Sequence, residues 1–172
     1  MNGSIILRDF TDSDIRLFEK WLCLPHVAEW YHEPMDWLDE VRKRKTDFCF
    51  LHHFITEHAG TPIGFCQYYA YENSGETWHG SIPVQGTYSM DYMIGDTSYL
   101  GKGFGRAMVR ALMEKITAHI DARRIIVQPE PENQASCRTL LSCGFRYDEA
   151  NELYLLPIKD NNQDDHFICN RQ

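Results

Sequence analysis

The chain has no uninterrupted apolar run approaching the roughly 18 residues that a membrane-spanning helix needs, so no span is expected. It has six cysteines, at positions 23, 49, 66, 137, 143 and 169, yet no C-x-x-C pair. That excludes the common zinc-ribbon and dithiol spacings. Most of these cysteines lie among apolar residues, and buried free thiols in a reducing cytoplasm account for them. Basic residues are scarce: 17 Lys and Arg stand against 25 Asp and Glu, a formal charge of −8. Nucleic acid is therefore disfavoured as a partner, because phosphate contacts need clustered Lys and Arg, whereas a cationic ligand is favoured. The single basic run, Arg42-Lys43-Arg44-Lys45, reads as the solvated end of a helix. Met1-Asn2-Gly3-Ser4 leads directly into a strand pattern rather than into a basic-then-apolar leader. There is no internal repeat and no linker-like stretch.

What the chain does have is enough apolar material for one domain: 172 residues, 43% hydrophobic and 13% aromatic. It also has a glycine-rich turn, Leu100-Gly101-Lys102-Gly103-Phe104-Gly105-Arg106, between a strand-like run (Tyr88 to Ile94) and an amphipathic helix beginning near Gly105. Glycines at alternate positions clear side chains from the backbone. The helix start adds unpaired N–H groups and partial positive charge. Together these form a cradle for a phosphate or pyrophosphate. The spacing is not that of a P-loop, which needs Gly where Asp96 stands and Ser or Thr where Gly103 stands. Nor is it a dinucleotide fingerprint, because Arg106 occupies the last glycine slot. A plain strand-to-helix connection is the alternative reading.

The residues after the loop extend the pattern. Met108, Leu112, Ile116 and Ile120 recur every fourth position, widened by Val109 and Met113, with Arg110, Glu114 and Lys115 off the stripe. That predicts a core-facing helix. Arg123 to Gln128 reads as a short buried strand stopped by Pro129, and Gln134 to Ser142 as a helix ended by Gly144. Upstream, Ser4 to Arg8 is a strand, and Thr11-Asp12-Ser13-Asp14 has capping-box spacing before a helix to about Cys23. A second helix is expected near Asp36 to Lys45. Phe48 to Glu57 and Ile63 to Tyr71 are expected to form a hairpin through His58-Ala59-Gly60-Thr61-Pro62. A polar loop spans Glu72 to Gly86. After Phe145 come a short strand, a turn at Asp148 to Asn151, and a last strand, Glu152 to Leu156. The order is β-α-α-β-β-β-α-β-α-β-β.

These features resemble the GNAT superfamily of N-acetyltransferases, which use acetyl-coenzyme A. The family loop Q/R-x-x-G-x-G/A fits Leu100 to Gly105 except at its first residue, and Val127, Asn133, Gly144 and Phe145 match a second family pattern. The resemblance implies a mixed α/β (α+β) fold, with a central, mostly antiparallel, twisted sheet of six to seven strands and about four flanking helices. It covers roughly residues 3 to 158, within a single expected domain over residues 1–158 that leaves a polar tail over 159–172. It also implies a monomer or homodimer in the cytoplasm, with no membrane partner.

Within the superfamily, the likeness is to aminoglycoside 6'-N-acetyltransferases. It is carried by His26-Val27-Ala28-Glu29-Trp30-Tyr31, Pro62-Ile63-Gly64-Phe65-Cys66-Gln67-Tyr68-Tyr69, Leu100 to Gly105 and Val109-Arg110-Ala111-Leu112. Carried over residue by residue, the resemblance puts Met93, Ile94, Leu100, Gly101, Lys102, Gly103, Phe104, Gly105, Arg106, Asn133 and Ser136 at acetyl-CoA. It puts Asp91 opposite the acceptor amine, with Trp30, Tyr31, Gln67, Glu76 and Trp78 around a small cationic substrate. Core packing is the competing reading for the aromatics, Trp37 among them.

The chemistry stands beside the resemblance. Amide formation from a thioester needs a neutral amine, a polarised carbonyl and an exit for the thiolate. Positioning supplies much of the rate. Asp91 can hold an ammonium and accept its proton, although an ordinary Asp, with a pKa of about 3.9, is a weak base unless burial raises it. A backbone N–H near Met93 can meet a developing oxyanion. Two departures from the family stand out. Leu140 replaces a helix tyrosine that protonates the leaving thiolate; either the thiolate, of a thiol with a pKa of about 8.5, leaves unassisted, or Tyr147, Cys137 or water serves. Gln128 replaces an aspartate that meets an amino sugar. His52, His53 and His58 form no expected metal site, because neighbours on a strand point to opposite faces. No cysteine stands at a strand-to-helix elbow, which disfavours a cysteine nucleophile. The alternatives are a GNAT enzyme acting on a protein N-terminus, a lysine or a siderophore hydroxylamine, or a non-catalytic acyl-CoA-binding module.

Overall fold

The computed structural model describes residues 4–158; the expected polar tail lies outside the described residues. One seven-stranded sheet has the order β1-β2-β3-β4-β5-β7-β6. Its strands are β1 (Ile5–Asp9), β2 (His52–His58), β3 (Thr61–Ala70), β4 (Thr87–Ile94), β5 (Arg124–Val127), β6 (Arg146–Asp148) and β7 (Leu153–Pro157). Every neighbouring pair is antiparallel except β4 with β5. The helices are α1 (Ile15–Leu22), α2 (Pro25–Ala28), α3 (Pro34–Arg42), α4 (Phe104–Thr117) and α5 (Gln134–Ser142).

Strand alternation sorts the core into two layers. Phe54, Cys66 and Met90 point toward α4 and α5, where they meet Met108, Leu112, Ile116 and Leu140. Ile55, Phe65 and Met93 point the other way, toward Phe18, Leu22, Val27, Leu38 and Val41 of α1, α2 and α3. The β2–β3 hairpin turns through Ala59 (φ 49°) and Gly60 (φ 77°), the paired positive φ of a two-residue turn that follows strand twist. Thr11 N–H donates to Asp14 Oδ2 at 2.8 Å, as the capping-box spacing predicts. Gly144 (φ 95°) ends α5 with paired closing bonds, Phe145 N–H to Leu140 O and Gly144 N–H to Leu141 O.

Several expectations are corrected. The strand expected from Phe48 begins only at His52. Residues 43–50 form turns, and Phe48 and Phe50 pack beside Tyr69 and Tyr71 instead of pairing. Tyr71 leaves the sheet into a 3₁₀ turn. The helix expected over Asp36 to Lys45 runs from Pro34 to Arg42, and the one-turn α2, opened by Pro25, precedes it. Ile120 does not extend the α4 stripe: the helix stops at Thr117 and Ile120 is 95% exposed. Cys23 and Cys49 are exposed, while Cys66, Cys137 and Cys143 are buried. No described helix is long and apolar enough to cross a membrane.

Candidate active site

The sheet opens at the only parallel joint among the described strands. β4 and β5 pair only at Thr87 with Arg124 and Tyr88 with Ile125, then diverge. β5 ends at Val127, and Pro129 and Pro131 follow, neither with an N–H to extend a ladder. The rest of β4 therefore keeps one edge free. Gly86 O accepts from Arg124 N–H on the β5 side, and Gly95 N–H donates to Ile63 O on the β3 side. With the β3–β4 register unbroken between them, odd residues direct their backbone groups into β3 and even ones into the gap. Met93 N–H thus belongs to the β3 ladder, so of the N–H groups around Met93 only those of its neighbours can meet an oxyanion in the gap. The N–H groups of Tyr92 and Ile94 face the opening, and Ile94 O bonds His26 Nε2 at 2.9 Å on that side.

Two cavities meet at this edge. One, of about 560 Å³, runs from Tyr92, Met93 and Ile94 past Leu100, Gly101, Gly103, Gly105 and Arg106 to Asn133, Ser136, Arg138 and Thr139 of the α5 side. The glycine loop forms its floor. Gly101 (φ 70°) and Gly103 (φ 86°) take left-handed conformations that disfavour side chains. Gly105 is different: it lies in the first turn of α4, and an added Cβ would meet only Thr139 Oγ1, at 4.0 Å. Neither its backbone nor its protein neighbours demand glycine, so the demand comes from the cavity. Free N–H groups at the α4 start and the Arg106 and Arg138 side chains suit a pyrophosphate. Asn133 Oδ1 caps α5 by accepting from Ser136 N–H at 3.1 Å, which fixes the opposite wall.

The second cavity, about 350 Å³, is lined by Trp30, Tyr31, Trp37, Tyr69, Glu76, Trp78, Asp91 and Tyr92 and closed by Gln128 and Glu130. Tyr31 and Trp37 rings lie 4.6 Å apart, and Trp78 meets Tyr71 edge-on at 5.0 Å. Aromatic faces and carboxylates suit an organic cation. Tyr69 Oη donates to Glu76 Oε2 at 2.9 Å, aiming that carboxylate. Gln67 Nε2 donates to Asp91 Oδ2 at 2.9 Å from behind the wall. Burial pushes the Asp91 carboxyl up to about 6; Gln67 resists the rise and the nearby Glu76 adds to it. An aspartate at that value is a competent proton acceptor near neutrality.

The structure brings most of the expected residues together, but not all. Lys102 is exposed and does not line the donor cavity. Phe104 turns inward between Tyr99 and His58, at ring distances of 5.2 and 4.9 Å. Gln67 supports the site without lining it. Tyr147 and Cys137 face a separate groove, with Tyr154 and Leu141, on the far side of the Pro129–Pro131 segment. Gln128 is tied to Glu152 O at 3.0 Å. His52 is exposed and stacks on Tyr68, whereas His53 is buried beside Phe65. No cluster of metal-ligating side chains occurs among the described residues.

Sequence reasoning missed Glu40, Glu130 and Tyr92. Burial raises Glu40 to about 7, with Asp91 adding to the rise and Gln67 opposing it. The legible signal was an acidic residue three positions after Trp37, on the inward face of α3.

A sheet split beside its fourth strand, with a glycine loop at the mouth of the split, defines an acetyltransferase architecture. A family model described as "Acetyltransferase (GNAT) domain" matches residues 11–153, and the chain belongs to that family. It is similar to "Aminoglycoside N(6')-acetyltransferase type 1" of Klebsiella pneumoniae, 29% identical over 150 residues, covering 84% of this chain and 75% of the relative. A crystal structure of aminoglycoside acetyltransferase AAC(6')-Ib in complex with coenzyme A and kanamycin superposes with a TM-score of 0.76 at 26% identity, over 90% of this chain and 95% of the other. A spermidine N-acetyltransferase from Vibrio cholerae shares the fold, with a TM-score of 0.64 at 16% identity, over 84% of this chain and 82% of the other.

Proposed function

We propose that the chain transfers the acetyl group of acetyl-CoA to a primary amine of a small polycation, an aminoglycoside acetylated at its 6'-amine. The observation that carries this reading is the meeting of the two cavities at β4, where Tyr92 lines both and its neighbour Asp91 lines the acceptor side. The likeness to enzymes named for that reaction supports it.

When bound, acetyl-CoA supplies a thioester carbonyl open to attack by a neutral amine. The chain's own residues supply the rest. The loop from Leu100 to Arg106 holds the pyrophosphate by backbone N–H groups and by Arg106. Glu76, Glu130 and the aromatic wall hold the cation. Asp91 orients the reacting ammonium and accepts its proton. The N–H groups of Tyr92 and Ile94 stand at the open edge, where oxygen develops charge. The reaction belongs in the cytoplasm, where acetyl-CoA is available.

Thiol release from acetyl-CoA tests the reading against kanamycin, ribostamycin, spermidine and a lysine peptide. Turnover with the aminoglycosides far above the other amines is expected. Preference for the peptide would move the chain to protein acetylation. Tight coenzyme A binding without turnover of any amine would make it a binding module.

A further inference from the structure

Leu140 stands where a proton donor to sulfur was expected, and it is fully buried among apolar side chains. Tyr147 and Cys137 face the separate groove. Tyr92 occupies a different position. It lines both the donor and the acceptor cavity. Strand alternation sends its side chain toward α5 while Asp91 points to the other layer. Its hydroxyl lies 2.7 Å from Ser136 Oγ. Ser136 and Leu140 are one turn apart on α5 and so share a face. Tyr92 thus brings a phenol from the strand to the same helix face, one turn earlier.

We propose that Tyr92 is the proton donor to the departing sulfur, with Ser136 as its supporting hydroxyl. The role rests on the acetyl-transfer reading above. As the amine nitrogen bonds to the acetyl carbon, the C–S bond breaks and sulfur leaves with its electron pair. Tyr92 Oη gives its proton to that sulfur, and Ser136 Oγ–H donates to the resulting phenolate. The proton that Asp91 takes from the bound ammonium leaves to bulk water before attack; the second proton, lost from nitrogen after attack, passes to Asp91 and returns through water to Tyr92. The net products from the ammonium are an amide, a free thiol and one proton released to solvent, with every protein group restored. Burial, with Cys143, Cys137 and Asp91 close by, pushes the Tyr92 phenol well above its usual range, and the Ser136 hydrogen bond opposes this. The hydroxyl therefore keeps its proton at working pH, and the Ser136 hydrogen bond offsets part of the acidity that burial removes.

Tyr92→Phe removes one oxygen and no bulk. With acetyl-CoA and kanamycin, kcat is expected to fall at least tenfold, with KM for acetyl-CoA unchanged within twofold. The oxygen-ester analogue of acetyl-CoA, whose alkoxide depends far more on a proton donor, should suffer a further tenfold loss. A merely structural role would lower both equally, and that result, or an unchanged kcat, overturns the proposal. Binding gives a second, independent reading. At about pH 9.5, above the ordinary thiol pKa of about 8.5, Tyr92→Phe should weaken coenzyme A at least threefold in calorimetry and leave desulfo-coenzyme A unchanged. Equal effects on the two ligands overturn the proposal. This comparison needs no turnover, so a failed functional reading and a failed role for Tyr92 give separate results.

Discussion

Gln67 Nε2 donates to Asp91 Oδ2 at 2.9 Å across the β3–β4 pair, where the two residues stand directly opposite each other. A buried amide thereby fixes the carboxylate's direction and favours its ionised form, against burial that raises it to about 6. The acid limb of kcat/KM should therefore lie near pH 6, with activity appearing as Asp91 loses its proton. Gln67→Leu removes the hydrogen bond and should move that limb to higher pH. Activity then falls severalfold at pH 6 and recovers toward the wild-type value above pH 8. A pH–rate profile of both proteins checks this, and a limb that stays in place assigns it to another group.

The same burial costs stability. The folded pKa of Asp91, about 6, lies above the ordinary value of 3.8. The folded state thus binds this proton more tightly than the unfolded state. The resulting stabilisation is complete below about pH 4 and is lost as pH rises through 6. At pH 7.5, Asp91→Asn should raise Tm, with a gain of at most about 3 kcal/mol for a shift near two units. It should also lower kcat/KM at least tenfold. Thermal melts at pH 4 and pH 7.5 check the sign, because the gain should shrink at the lower pH.

Gly105 separates folding from binding. Its Cβ position is open to the protein, with only Thr139 Oγ1 nearby at 4.0 Å. Gly105→Ala should hold or raise Tm, since alanine is favoured over glycine in a helix by up to about 1 kcal/mol. Coenzyme A should bind at least fivefold more weakly, as measured by calorimetry. Loss of both together would place the glycine's role in folding instead.

Glu130 is a carboxylate lining the same cavity as Gln128, placed to supply the anionic contact that Gln128 lacks. It lines the acceptor cavity and bonds His32 Nε2 at 2.5 Å. Both side chains are about half exposed, so its attraction for a cation is worth roughly 0.2–1 kcal/mol. Glu130→Gln should therefore raise KM for kanamycin about 1.4-fold to fivefold and leave kcat unchanged. Steady-state kinetics at low salt resolve an effect of that size.

The glycine loop, the α4 stripe up to Ile116 and the Asn133-to-Gly144 helix were legible because each depends on local backbone chemistry or helical period. Asp91 and Glu76 were reached through the family resemblance. The rest depends on contacts far apart in sequence. The sequence placed the oxyanion donor only near Met93, and the register with Ile63 and Arg124 decides which N–H groups there face the gap. Phe104, inside the loop motif, turns inward because Tyr99 and His58 offer it a pocket. Ile120 kept the helical period, but the chain turns after Thr117 and leaves it in solvent. Phe48 and Phe50 alternate like a strand yet pack against Tyr69 and its neighbours from a run of turns.

The central claim is that Asp91, on the wall of the acceptor cavity beside its junction with the donor cavity at Tyr92, directs acetyl transfer to one amine of an aminoglycoside. The most direct test is to incubate the protein with acetyl-CoA and kanamycin and locate the new acetyl group by mass spectrometry and NMR. The account predicts a single acetyl at the 6'-amine with the wild type and at least a tenfold slower appearance of it with Asp91→Asn. An acetyl on another amine, no product, or an unaffected Asp91→Asn rate would contradict it.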